Sequence, residues 1–465
     1  MGPPIETPKG TRDWAGDDLA LRNDVFDKIR KVFRLHDGAE IDTPLSHRQV
    51  WTKLIYDLDE QGGTPCALRY DLTVPFARLL AMSNVRTIKR FQIGKVYRRD
   101  QPSLEKGRMR EFYQCDFDYA GQCDSMVPDA EVLCIAVEVL FGALQLDMKI
   151  KINHRLILDG LFSAVGVPAT LLRPISSAVD KLDKLPWPEV EKEMVEKGLD
   201  VNVATKLGEY LQQAKETDTA SALSALTSDP ILSANPDIQK GVGEMELLMQ
   251  YLKAYGIAEH VKFDLSLARG LDYYTGLIYE VIVPDLELPE KDMVVSVGSV
   301  AAGGRYDNLV SQFSKRSIPC VGISFGIDRI LTVLKHLDAP EVEKLDTWIV
   351  IARFHCGAYG IAERMALARD MRLKQQISVG FDPKADKSPR KQIDAAAKRA
   401  KTLLYMERDN TVAGNMRFKL LTLPDKNLDN AELLGRSEVN DEIMRRRKEL
   451  RDKEWKEEAG EYDIE

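Results

Sequence analysis

Apolar residues recur at a helical spacing near the start of the chain. Between positions 18 and 35, from Leu21 to Val32, they follow one another every three or four residues, which predicts an amphipathic helix. A short strand is predicted directly afterwards, over residues 39–45. Pro44 places this strand at an edge or at a strand end, because proline cannot donate to a strand ladder.

A second pattern alternates along residues 111–119, where Phe112, Gln114 and Asp116 stand on one face. A period of two predicts a strand with two distinct faces. A further strand is predicted over residues 90–98, and the polar loop 99–110 joins the two into a long-looped antiparallel hairpin. Other strands are predicted at 66–70, 261–267, 276–283, 293–300 and 318–324, and other helices at 129–145, 156–165, 190–197, 203–215, 238–255 and from about 326.

The order of these elements divides the chain into parts. A run of helices interrupts two strand-containing regions, and after a charged connector short strands alternate with helices, which predicts a small α/β domain with a mainly parallel sheet. The almost wholly charged end of the chain predicts an exposed helix or a disordered tail. The predicted parts are 1–154 and 258–337 (one folded body), 155–257 (helical insertion), 338–346 (connector), 347–435 (α/β domain) and 436–465 (tail).

Charge is distributed unevenly along the chain. The net charge is −8, yet the segment 347–420 holds 15 Lys and Arg against 7 Asp and Glu. Its excess of eight positive charges leaves −16 for the rest. A basic module on an acidic body is what selective contact with a phosphate backbone requires. The alternative is a solvated helical surface without a partner.

The spacing of the cysteines and the hydropathy of the chain argue against several classes of protein. The six cysteines form no Cys-x-x-Cys pair, which argues against structural zinc, and no metal site is expected. Residues 1–18 carry four acidic side chains and no apolar signal-peptide core. No stretch approaches the roughly 18 apolar residues of a membrane span. The sequence therefore predicts a cytoplasmic protein that does not contact membranes.

The hairpin carries the first candidate chemistry. Arg98 ends its first strand, and Arg108 precedes Phe112 at the start of the second. Arginine holds carboxylate or phosphate oxygens with two parallel hydrogen bonds, and an aromatic ring can stack on a purine. Such a hairpin could grip ATP from both ends. Taken alone, it could equally be a basic surface hairpin.

Three later segments also concentrate polar groups between glycines. Residues 267–276 place one arginine, one aspartate and two tyrosines in a short stretch, although a turn with interface tyrosines has the same composition. Residues 301–307 contain paired glycines that allow close approach of a ligand, but such runs are weak signals alone. Residues 322–329 predict a strand that leads into a helix with an arginine.

Together, these segments resemble known motifs. Arg98-x-Asp100 with Arg108-x-x-x-Phe112 resembles motif 2 of class II aminoacyl-tRNA synthetases, residues 322–329 resemble motif 3, and the helix 18–35 with its strand stands where motif 1 would be. The segment 269–274, Arg-Gly-Leu-Asp-Tyr-Tyr, resembles the motif specific to histidyl-tRNA synthetases. Residues 7–13 and 302–307 are similar to that family too, and residues 68–76 have its eukaryote-like form. The resemblance covers residues 7–345.

The resemblance implies a fold, a reaction and partners. The expected fold is α+β: an antiparallel sheet flanked by helices, with a helical insertion and a C-terminal α/β domain of the anticodon-binding type. The expected activity is that of a histidine–tRNA ligase, which activates L-histidine with ATP and transfers it to the 3′ end of its tRNA. Mg²⁺ would arrive bound to ATP, the histidine tRNA would carry an extra 5′ nucleotide, and motif 1 would build a homodimer.

The family's histidine-binding residues carry over to nine positions: Asp71, Leu72, Thr73, Arg98, Gln114, Asp118, Arg269, Tyr273 and Tyr274. By resemblance, Asp71 and Thr73 hold the α-ammonium group, with Gln114 nearby. Asp118 and Tyr274 bracket the imidazole ring, so that each ring nitrogen meets one polar group. Tyr273 lines the same pocket.

The ATP-binding residues implied by the resemblance are Arg98, Asp100, Arg108, Phe112 and Arg329. Arg98 and Arg269 would be catalytic. Arg98 would contact the histidine carboxylate and the α-phosphate, and Arg269 would stabilise charge at the α-phosphate, where other class II enzymes place a metal ion. Arg108 and Arg329 would hold the outer phosphates, and Phe112 would stack on adenine.

Two stretches depart from the family, and one rival class remains. The loop at 46–51 is shorter than usual, and the C-terminal domain matches mainly in the order of its elements, with residues 405–434 only loosely similar. Non-catalytic relatives serve as sensors of uncharged tRNA or as regulatory subunits of a biosynthetic enzyme. Such relatives typically lose parts of the pockets, whereas here the histidine and ATP residues occur together.

Overall fold

The computed structural model describes residues 5–48, 55–58, 65–183, 185–215, 217–270, 273–288, 293–337, 344–351, 357–383, 388–408 and 416–459. The chain forms two compact units, Met1–Pro340 and Glu341–Glu465. Residues 49–51 of the short loop that departs from the family at 46–51 lie outside the described residues, as do Leu271 and Asp272.

The helices and strands of the first unit alternate irregularly along the chain. Its helices are α1 (Gly16–Leu35), α2 (Thr73–Met82), α3 (Val127–Val137), α4 (Arg155–Val165), α5 (Leu172–Val179), α6 (Trp187–Glu196), α7 (Val201–Lys215), α8 (Thr219–Ser228), α9 (Pro236–Ala254) and α10 (Ile327–His336). Its strands are β1 (Ala39–Glu40), β2 (Ser46–Arg48), β3 (Asp57–Leu58), β4 (Cys66–Leu68), β5 (Ile88–Tyr97), β6 (Glu111–Ala120), β7 (Lys149–His154), β8 (Val261–Phe263), β9 (Leu277–Ile282), β10 (Leu286–Leu288), β11 (Met293–Val295), β12 (Ser299–Arg305) and β13 (Cys320–Gly326).

Among the described residues, eight strands form the main sheet of this unit in the order β1-β5-β6-β13-β12-β9-β7-β8. The five inner pairings, from β5-β6 to β9-β7, are antiparallel. The two outer pairings, β1-β5 and β7-β8, are parallel. The expected antiparallel sheet flanked by helices is therefore confirmed.

Alternation along the strands separates a core face from a polar face. Phe91 on β5 and Phe117 on β6 are buried against Phe33 of α1, with ring centroids 5.4 Å apart in each case. Side chains one position away point to the opposite face. Arg90 and Asp118 therefore project from the other side of the same two strands, and Gln114 of β6 shares that side.

The hairpin β5-β6 is paired over ten residues on each strand. The loop beyond it closes on itself, because the backbones of Ser103 and Arg108 exchange hydrogen bonds of 2.8 and 2.9 Å. Gly107 adopts a left-handed conformation with φ of 60°. A Cβ there would lie 2.8 Å from the carbonyl oxygen of Asp328, so only glycine lets the loop rest on the start of α10.

Helices α4 to α9 form the region expected as a helical insertion. Its apolar side chains, such as Ile157 of α4 and Met245 of α9, are buried and continue the core of the main sheet. Helix α9 begins at a proline behind the cap Asn235, whose side chain accepts from the backbone amides of Asp237 and Ile238. The predicted helices 190–197, 203–215 and 238–255 correspond to α6, α7 and α9.

The second unit contains helices α11 (Gly357–Gln375), α12 (Pro389–Arg399) and α13 (Val439–Ala459). Its strands are β14 (Leu345–Ile351), β15 (Val379–Phe381), β16 (Ala400–Arg408), β17 (Met416–Thr422) and β18 (Glu432–Leu434). Their order in the sheet is β15-β14-β16-β17-β18. A C-terminal α/β domain is thus confirmed.

Three details of the second unit differ from the sequence-based picture. The sheet is not mainly parallel, because β17 and β18 add two antiparallel pairings to the two parallel ones of β14. The sequence predicts a helix over residues 389–401, whereas α12 ends at Arg399 and Lys401 lies on β16. The charged tail forms helix α13, and its first turns are not exposed, since Val439 and Ile443 are buried in the core of this unit.

Candidate active site

A row of charged side chains crosses the polar face of the main sheet. Arg90 of β5 is fully buried, and Asp116 and Asp118 of β6 are 1% and 2% exposed. Burial of this kind is costly unless charges are paired and hydrogen-bonded. The buried charges of this row must therefore be compensated by specific contacts.

Arg90 is the centre of that arrangement. Its Nη2 lies 2.7 Å from Asp118 Oδ2 and donates a 3.2 Å hydrogen bond to the carbonyl oxygen of Leu72. The hydroxyl of Tyr306 donates to Asp118 Oδ1. Burial raises the pKa of Asp118, while Arg90 and Tyr306 act in the opposite direction. The carboxylate is thus fixed in place by two groups, Arg90 of β5 and Tyr306 directly after β12.

Two glycines leave room above the sheet between Asp118 and Tyr274. Gly322 of β13 pairs with Asp118 of β6 on one side and with Gly304 of β12 on the other. A Cβ at Gly322 would overlap the Asp118 carboxylate, and one at Gly304 would lie 2.9 Å from the ring of Tyr274. The missing side chains therefore let this carboxylate and this ring lie on the sheet surface.

The two tyrosines expected in the histidine pocket pack against each other. The ring centroids of Tyr273 and Tyr274 are 4.4 Å apart, and the hydroxyl of Tyr273 donates to that of Tyr274 over 3.4 Å. Burial raises the pKa of Tyr273, and the charge of Asp71 adds to this effect. Burial likewise raises the pKa of Tyr274, so both hydroxyls stay protonated at neutral pH. Because Tyr273 donates its proton to Tyr274, the Tyr274 hydroxyl is the one that can exchange a hydrogen bond with a ligand.

The start of α2 carries three of the residues expected to bind histidine: Asp71, Leu72 and Thr73. Asp71 Oδ1 accepts a 3.0 Å hydrogen bond from the amide of Val74, as a residue at a helix N-terminus does. Leu72 is fully buried and Thr73 is the first residue of the helix. The negative charge of Asp71 acts on Asp118 as well as on Tyr273, which places all three in one electrostatic environment.

Arg98 lies where the hairpin opens. Its Nε donates a 3.1 Å hydrogen bond to the carbonyl oxygen of Tyr70, and its guanidinium carbon is 4.2 Å from the centroid of the Tyr70 ring. The centroid of Phe112 lies 5.1 Å from the same carbon. Aromatic rings stabilise a cation in this position, so Arg98 is oriented before any ligand arrives.

Four arginines expected at the ATP and α-phosphate positions act on one another. Burial, together with the positive charges of Arg108, Arg269 and Arg98, lowers the pKa of Arg329 to about 10. The four guanidinium groups therefore lie close enough for their charges to repel one another. A polyanion bound there would relieve their repulsion.

Arg269 and Arg329 are tied together through Ser299 at the start of β12. Arg269 Nη1 donates a 3.1 Å hydrogen bond to Ser299 Oγ and pairs with Glu280. Arg329 Nη1 donates to the carbonyl oxygen of Ser299 over 2.5 Å. Although burial opposes the charge of Arg269, Glu280 raises the pKa of Arg269 overall. The two cations are therefore permanently charged and fixed in orientation.

The remaining expected residues occupy different settings. Gln114 is buried, and its Nε2 donates a 2.6 Å hydrogen bond to Ser324 Oγ of β13. Arg108 is exposed at the tip of the loop. The carbonyl oxygen of Asp100 accepts from Arg110 Nε over 3.1 Å. Asp100 therefore holds the loop through its backbone, a role the sequence motif alone does not indicate.

The sequence motifs did not identify four residues that complete the site: Arg90, Asp116, Glu280 and Ser299. Each lies on a strand, where a charged residue within an alternating pattern looks like an ordinary surface position. The sequence could have predicted their burial only if β5, β6, β9 and β12 had been paired in the correct register. Asp116 offered one signal, because it stands two residues before Asp118 and shares its face.

Comparison with known proteins agrees with this geometry. A profile of the family described as histidyl-tRNA synthetase matches residues 39–330. The chain belongs to the histidyl-tRNA synthetase family. The match contains every residue of the site described above, from Asp71 to Arg329.

Individual relatives cover most of this synthetase. It is 44% identical over 453 residues to a mitochondrial histidine–tRNA ligase of Saccharomyces cerevisiae, covering 90% of this chain and 82% of that protein. It is 44% identical to a cytoplasmic histidine–tRNA ligase of Dictyostelium discoideum over 84% of this chain and 81% of that protein. The crystal structure of a histidyl-tRNA synthetase from Nostoc has the same fold, with a TM-score of 0.77, 24% identity and coverage of 95% and 99%.

The same fold also occurs in a Bacillus halodurans structure titled as an ATP phosphoribosyltransferase regulatory subunit or histidyl-tRNA synthetase. It has a TM-score of 0.69 and 21% identity, and covers 86% of this chain and 98% of that one. Fold alone therefore does not separate a synthetase from a regulatory relative. The residues of the pocket have to make that distinction.

The described residues contain neither a membrane-spanning helix nor a cluster of metal ligands. No helix in this part of the chain is long and apolar enough to cross a membrane. No group of three or more His, Cys, Asp or Glu side chains among these residues is arranged to hold a metal ion.

Proposed function

We propose that the protein is a histidine–tRNA ligase that uses ATP to form histidyl-adenylate and then transfers histidine to its tRNA. The observation that carries this proposal is the meeting of two kinds of site. Arg98, Arg108 and Arg269 lie near Arg329 and repel its charge. Tyr274 lies close both to Arg269 of this group and to the buried Asp118, and Tyr273 packs against it. An anionic nucleotide suits the first, and a cationic amino acid suits the second.

Histidine binds on the acidic and aromatic side. Asp71, with Thr73 and the backbone of Leu72 at the start of α2, holds the α-ammonium group, and Gln114 lies beside it. Asp118 and Tyr274 contact one ring nitrogen each, so that a ring with a different donor pattern leaves a buried group unpaired. Tyr273 forms the wall of this pocket. The support for these roles is the fixed orientation of Asp118 by Arg90 and Tyr306.

ATP binds on the arginine side. Phe112 stacks on the adenine ring, Arg108 and Arg329 hold the outer phosphates, and Arg98 reaches both the histidine carboxylate and the α-phosphate. Asp100 supports the loop. Mg²⁺ arrives with the phosphates, as it commonly does when nucleotide oxygens supply most of its ligands.

The first half-reaction needs no nucleophile from the protein. A carboxylate oxygen of histidine attacks the α-phosphorus, the bond to the bridging oxygen breaks, and pyrophosphate leaves. Arg269, held by Glu280 and Ser299, stabilises negative charge on the α-phosphate in the transition state. In the second half-reaction, a hydroxyl of the terminal ribose of tRNA attacks the carbonyl carbon and AMP leaves.

Histidine-dependent exchange of labelled pyrophosphate into ATP tests this function on the purified protein. Exchange should require histidine and should be lost in Arg98→Ala. Lys9→Gln, an exposed change outside the site, serves as control. A regulatory relative would bind histidine without exchange, so histidine binding with no exchange in the wild type would reject the proposal.

Two further properties belong to this proposal. The synthetase acts as a homodimer, since β1 is a two-residue, exposed strand at the edge of the main sheet whose outer side is available for a second copy. An obligate interface buries roughly 2,000 Å² or more. Sedimentation giving a fully active monomer at micromolar concentration would reject it. The protein works in the cytoplasm, which imaging of a tagged chain against a mitochondrial marker would test.

A further inference from the structure

Two buried carboxylates, not one, lie beneath the proposed imidazole pocket. Asp116 and Asp118 are two residues apart on β6 and point to the same face of the sheet, and both are 2% exposed or less. The roles proposed above use Asp118 alone. Asp116 forms part of neither the ammonium site nor the phosphate site.

Asp116 is linked to the pocket from both neighbouring strands. From β13, the hydroxyl of Ser324 hydrogen-bonds its carboxyl group and accepts from Gln114 Nε2 over 2.6 Å. From β5, Arg90 acts on Asp116 and lies 2.7 Å from Asp118. Within the described residues, Asp116 Oδ1 is buried and accepts no hydrogen bond. The two carboxylates thus share one arginine.

A second arginine near Asp116, Arg69, has its charge paired with a different carboxylate. Arg69 acts on Asp116, but its Nη1 lies 3.9 Å from Asp42 Oδ1, and the carbonyl oxygens of Lys95 and Thr43 accept its other hydrogen bonds at 2.7 and 2.8 Å. Arg69 and Asp42 form one pair without net charge. The other charged side chains described below the pocket are Asp116, Asp118 and Arg90. Fully ionised, they carry a net charge of −1.

The charges of bound histidine can be matched in the same way. Asp71 faces the α-ammonium group and Arg98 faces the carboxylate, so these two pairs are neutral. The ring is then the remaining part of the ligand, and it lies next to the net negative charge. A negative environment favours the protonated form of a basic group.

We propose that the pocket binds the imidazole ring of histidine in its protonated form, and that Asp116 is a further specificity-determining residue that acts through Arg90 and Asp118. This inference rests on the proposed function. The imidazolium ring donates from both nitrogens. Asp118 accepts from one, and the hydroxyl oxygen of Tyr274 accepts from the other.

The titration of the buried pair fits this assignment. Burial raises the pKa of Asp116 to about 7, with Arg90 opposing and the charges of Asp118 and Asp71 adding to the increase. In the empty pocket near neutral pH, the pair therefore shares a proton. When histidine enters, that proton, or one from solvent, resides on the ring, whose ordinary pKa of about 6.5 is close enough for the transfer.

The test compares histidine with 1,2,4-triazole-3-alanine, whose ring has nearly the same shape but stays neutral at pH 7. Pyrophosphate exchange gives kcat/KM for both amino acids with the wild type and with Asp116→Asn, which keeps the shape of the side chain. We expect the variant to lose roughly tenfold or more for histidine, the effect of about one pKa unit. The loss for the triazole should be several-fold smaller.

Ser324→Ala is the matched control, because it removes the hydrogen bond to Asp116 without changing charge. Its losses should be equal for the two amino acids. Equal losses in Asp116→Asn would mean that Asp116 only supports the structure, and would overturn the inference. Absence of histidine-dependent exchange in the wild type would instead reject the proposed function itself.

A measurement on the unaltered protein guards against a variant that does not fold. Histidine labelled with ¹⁵N in the ring can be bound to the wild type at pH 7.5 and observed by NMR. Both ring nitrogens should have chemical shifts of the protonated form and should keep them up to at least one pH unit above the value for free histidine. A neutral ring in the bound state would overturn the inference.

Discussion

Arg269 illustrates how single side chains in this site are oriented before substrates bind. Its guanidinium is held between Glu280 and Ser299, so no reorganisation is needed when charge develops on the α-phosphate. We expect Arg269→Ala to lower the rate of histidine activation by a few hundred-fold or more, about 3–4 kcal/mol, with a much smaller effect on histidine binding.

Pre-steady-state formation of adenylate and equilibrium binding of histidine measure these two effects separately. Glu280→Gln is the control, because it leaves the arginine charge but removes its partner, and it should have an intermediate effect. Near-normal activation by Arg269→Ala would remove this residue from the catalytic role.

Gly322 gives a prediction about space instead of charge. A Cβ there would overlap the Asp118 carboxylate, whereas a Cβ at Gly326, on the same strand, would lie 3.5 Å from its nearest neighbour at an ordinary contact distance. Gly322→Ala should therefore displace Asp118 and raise KM for histidine roughly a hundredfold, the cost of about 3 kcal/mol typical of overpacking.

Gly326→Ala should change KM for histidine by less than about threefold, since its new methyl group meets no closer contact. Histidine titration of pyrophosphate exchange compares the two variants. KM for ATP should stay similar in both. A normal KM for histidine in Gly322→Ala would show that the carboxylate can move without harm to the pocket.

Individual site residues differed in how far the sequence predicted them. Arg98 and Arg329 stand in segments that resemble motifs of the family, and Asp118 carries over from the same resemblance. Arg90 and Asp116 do not stand in such segments. Their function depends on which strands lie next to each other in the sheet, and the spacing of residues along the chain does not give this information. Single polar residues in strands are usually solvent-facing, so the pattern favoured the wrong environment for both.

At the scale of elements, the segment before α1 connects two parts of the site. The amides of Arg110 and Glu111 donate to the carbonyl oxygen of Gly10, and Arg12 Nη2 lies 2.5 Å from Asp328 Oδ1. The other carboxylate oxygen of Asp328 accepts from the amide of Tyr113 over 3.2 Å. The segment thus fixes the start of α10, which carries Arg329, against β6, which carries Phe112.

Arg12→Gln should therefore weaken ATP binding while leaving histidine binding intact. Removing one partner of a largely buried ion pair leaves Asp328 with an unmatched charge, and α10 then shifts relative to β6. We expect KM for ATP to rise roughly tenfold in the exchange reaction, which corresponds to about 1.4 kcal/mol, with KM for histidine within twofold. Lys9→Gln, which removes an exposed charge from the same segment, should match the wild type.

Arg12→Lys provides the decisive comparison for this positioning role. It keeps the charge and should restore part of the ATP affinity. If Arg12→Gln raised both KM values equally, the segment would stabilise the whole unit without positioning α10 in particular.

The end of α1 contains a pH-dependent contact. His36 Nδ1 is 3.1 Å from Glu131 and Nε2 is 2.9 Å from Glu138, and Lys89 also contacts Glu131 at 2.6 Å. The hydrogen bond to Glu131 raises the pKa of His36, with burial acting against it and Glu138 adding to it. A raised pKa means that the stabilisation is complete below about 6.5, and is lost as pH rises through the folded value.

His36→Gln should consequently lower the thermal midpoint more at pH 6 than at pH 8.5. Calorimetry of both proteins across this range measures the difference. His336→Gln, an exposed change on α10, is the control and should show no such trend. A constant difference between wild type and His36→Gln at all pH values would mean that the protonated form of His36 does not stabilise the fold.

Elements with a clear period were predicted from the sequence, and elements without one were missed. The helix 18–35 corresponds to α1, and the hairpin strands correspond to β5 and β6 within a few residues. Helix α8 has a weak pattern of small and hydroxyl residues, and Asp218 caps it by accepting from the amides of Ala220 and Ser221. Strand β17 was not predicted, and it lies in the stretch 405–434 that is only loosely similar to the family.

The whole molecule consists of two units, each with its own hydrophobic core. The residues proposed for activation, from Asp71 to Arg329, all lie in the first. The second contains the segment 347–420, which holds the excess of eight positive charges. On α12, Arg390, Lys391, Lys398 and Arg399 are exposed, and Asp394 between them pairs with Lys426 at 2.9 Å. A charged surface outside the activation site suits a partner that carries many phosphates.

The last prediction separates activation from recognition of tRNA. Changing Arg390, Lys391 and Lys398 to glutamine removes three exposed charges from α12 without touching either core. Pyrophosphate exchange should remain normal. KM for tRNA in aminoacylation should rise, and the slope of log affinity against log salt should flatten by up to about 0.7–0.9 per lost phosphate contact. The control changes Lys374, Arg445 and Lys448, exposed residues of the same unit, to glutamine. If both triple variants lowered tRNA affinity equally, long-range charge would be responsible; if neither did, the basic face of α12 would not bind tRNA.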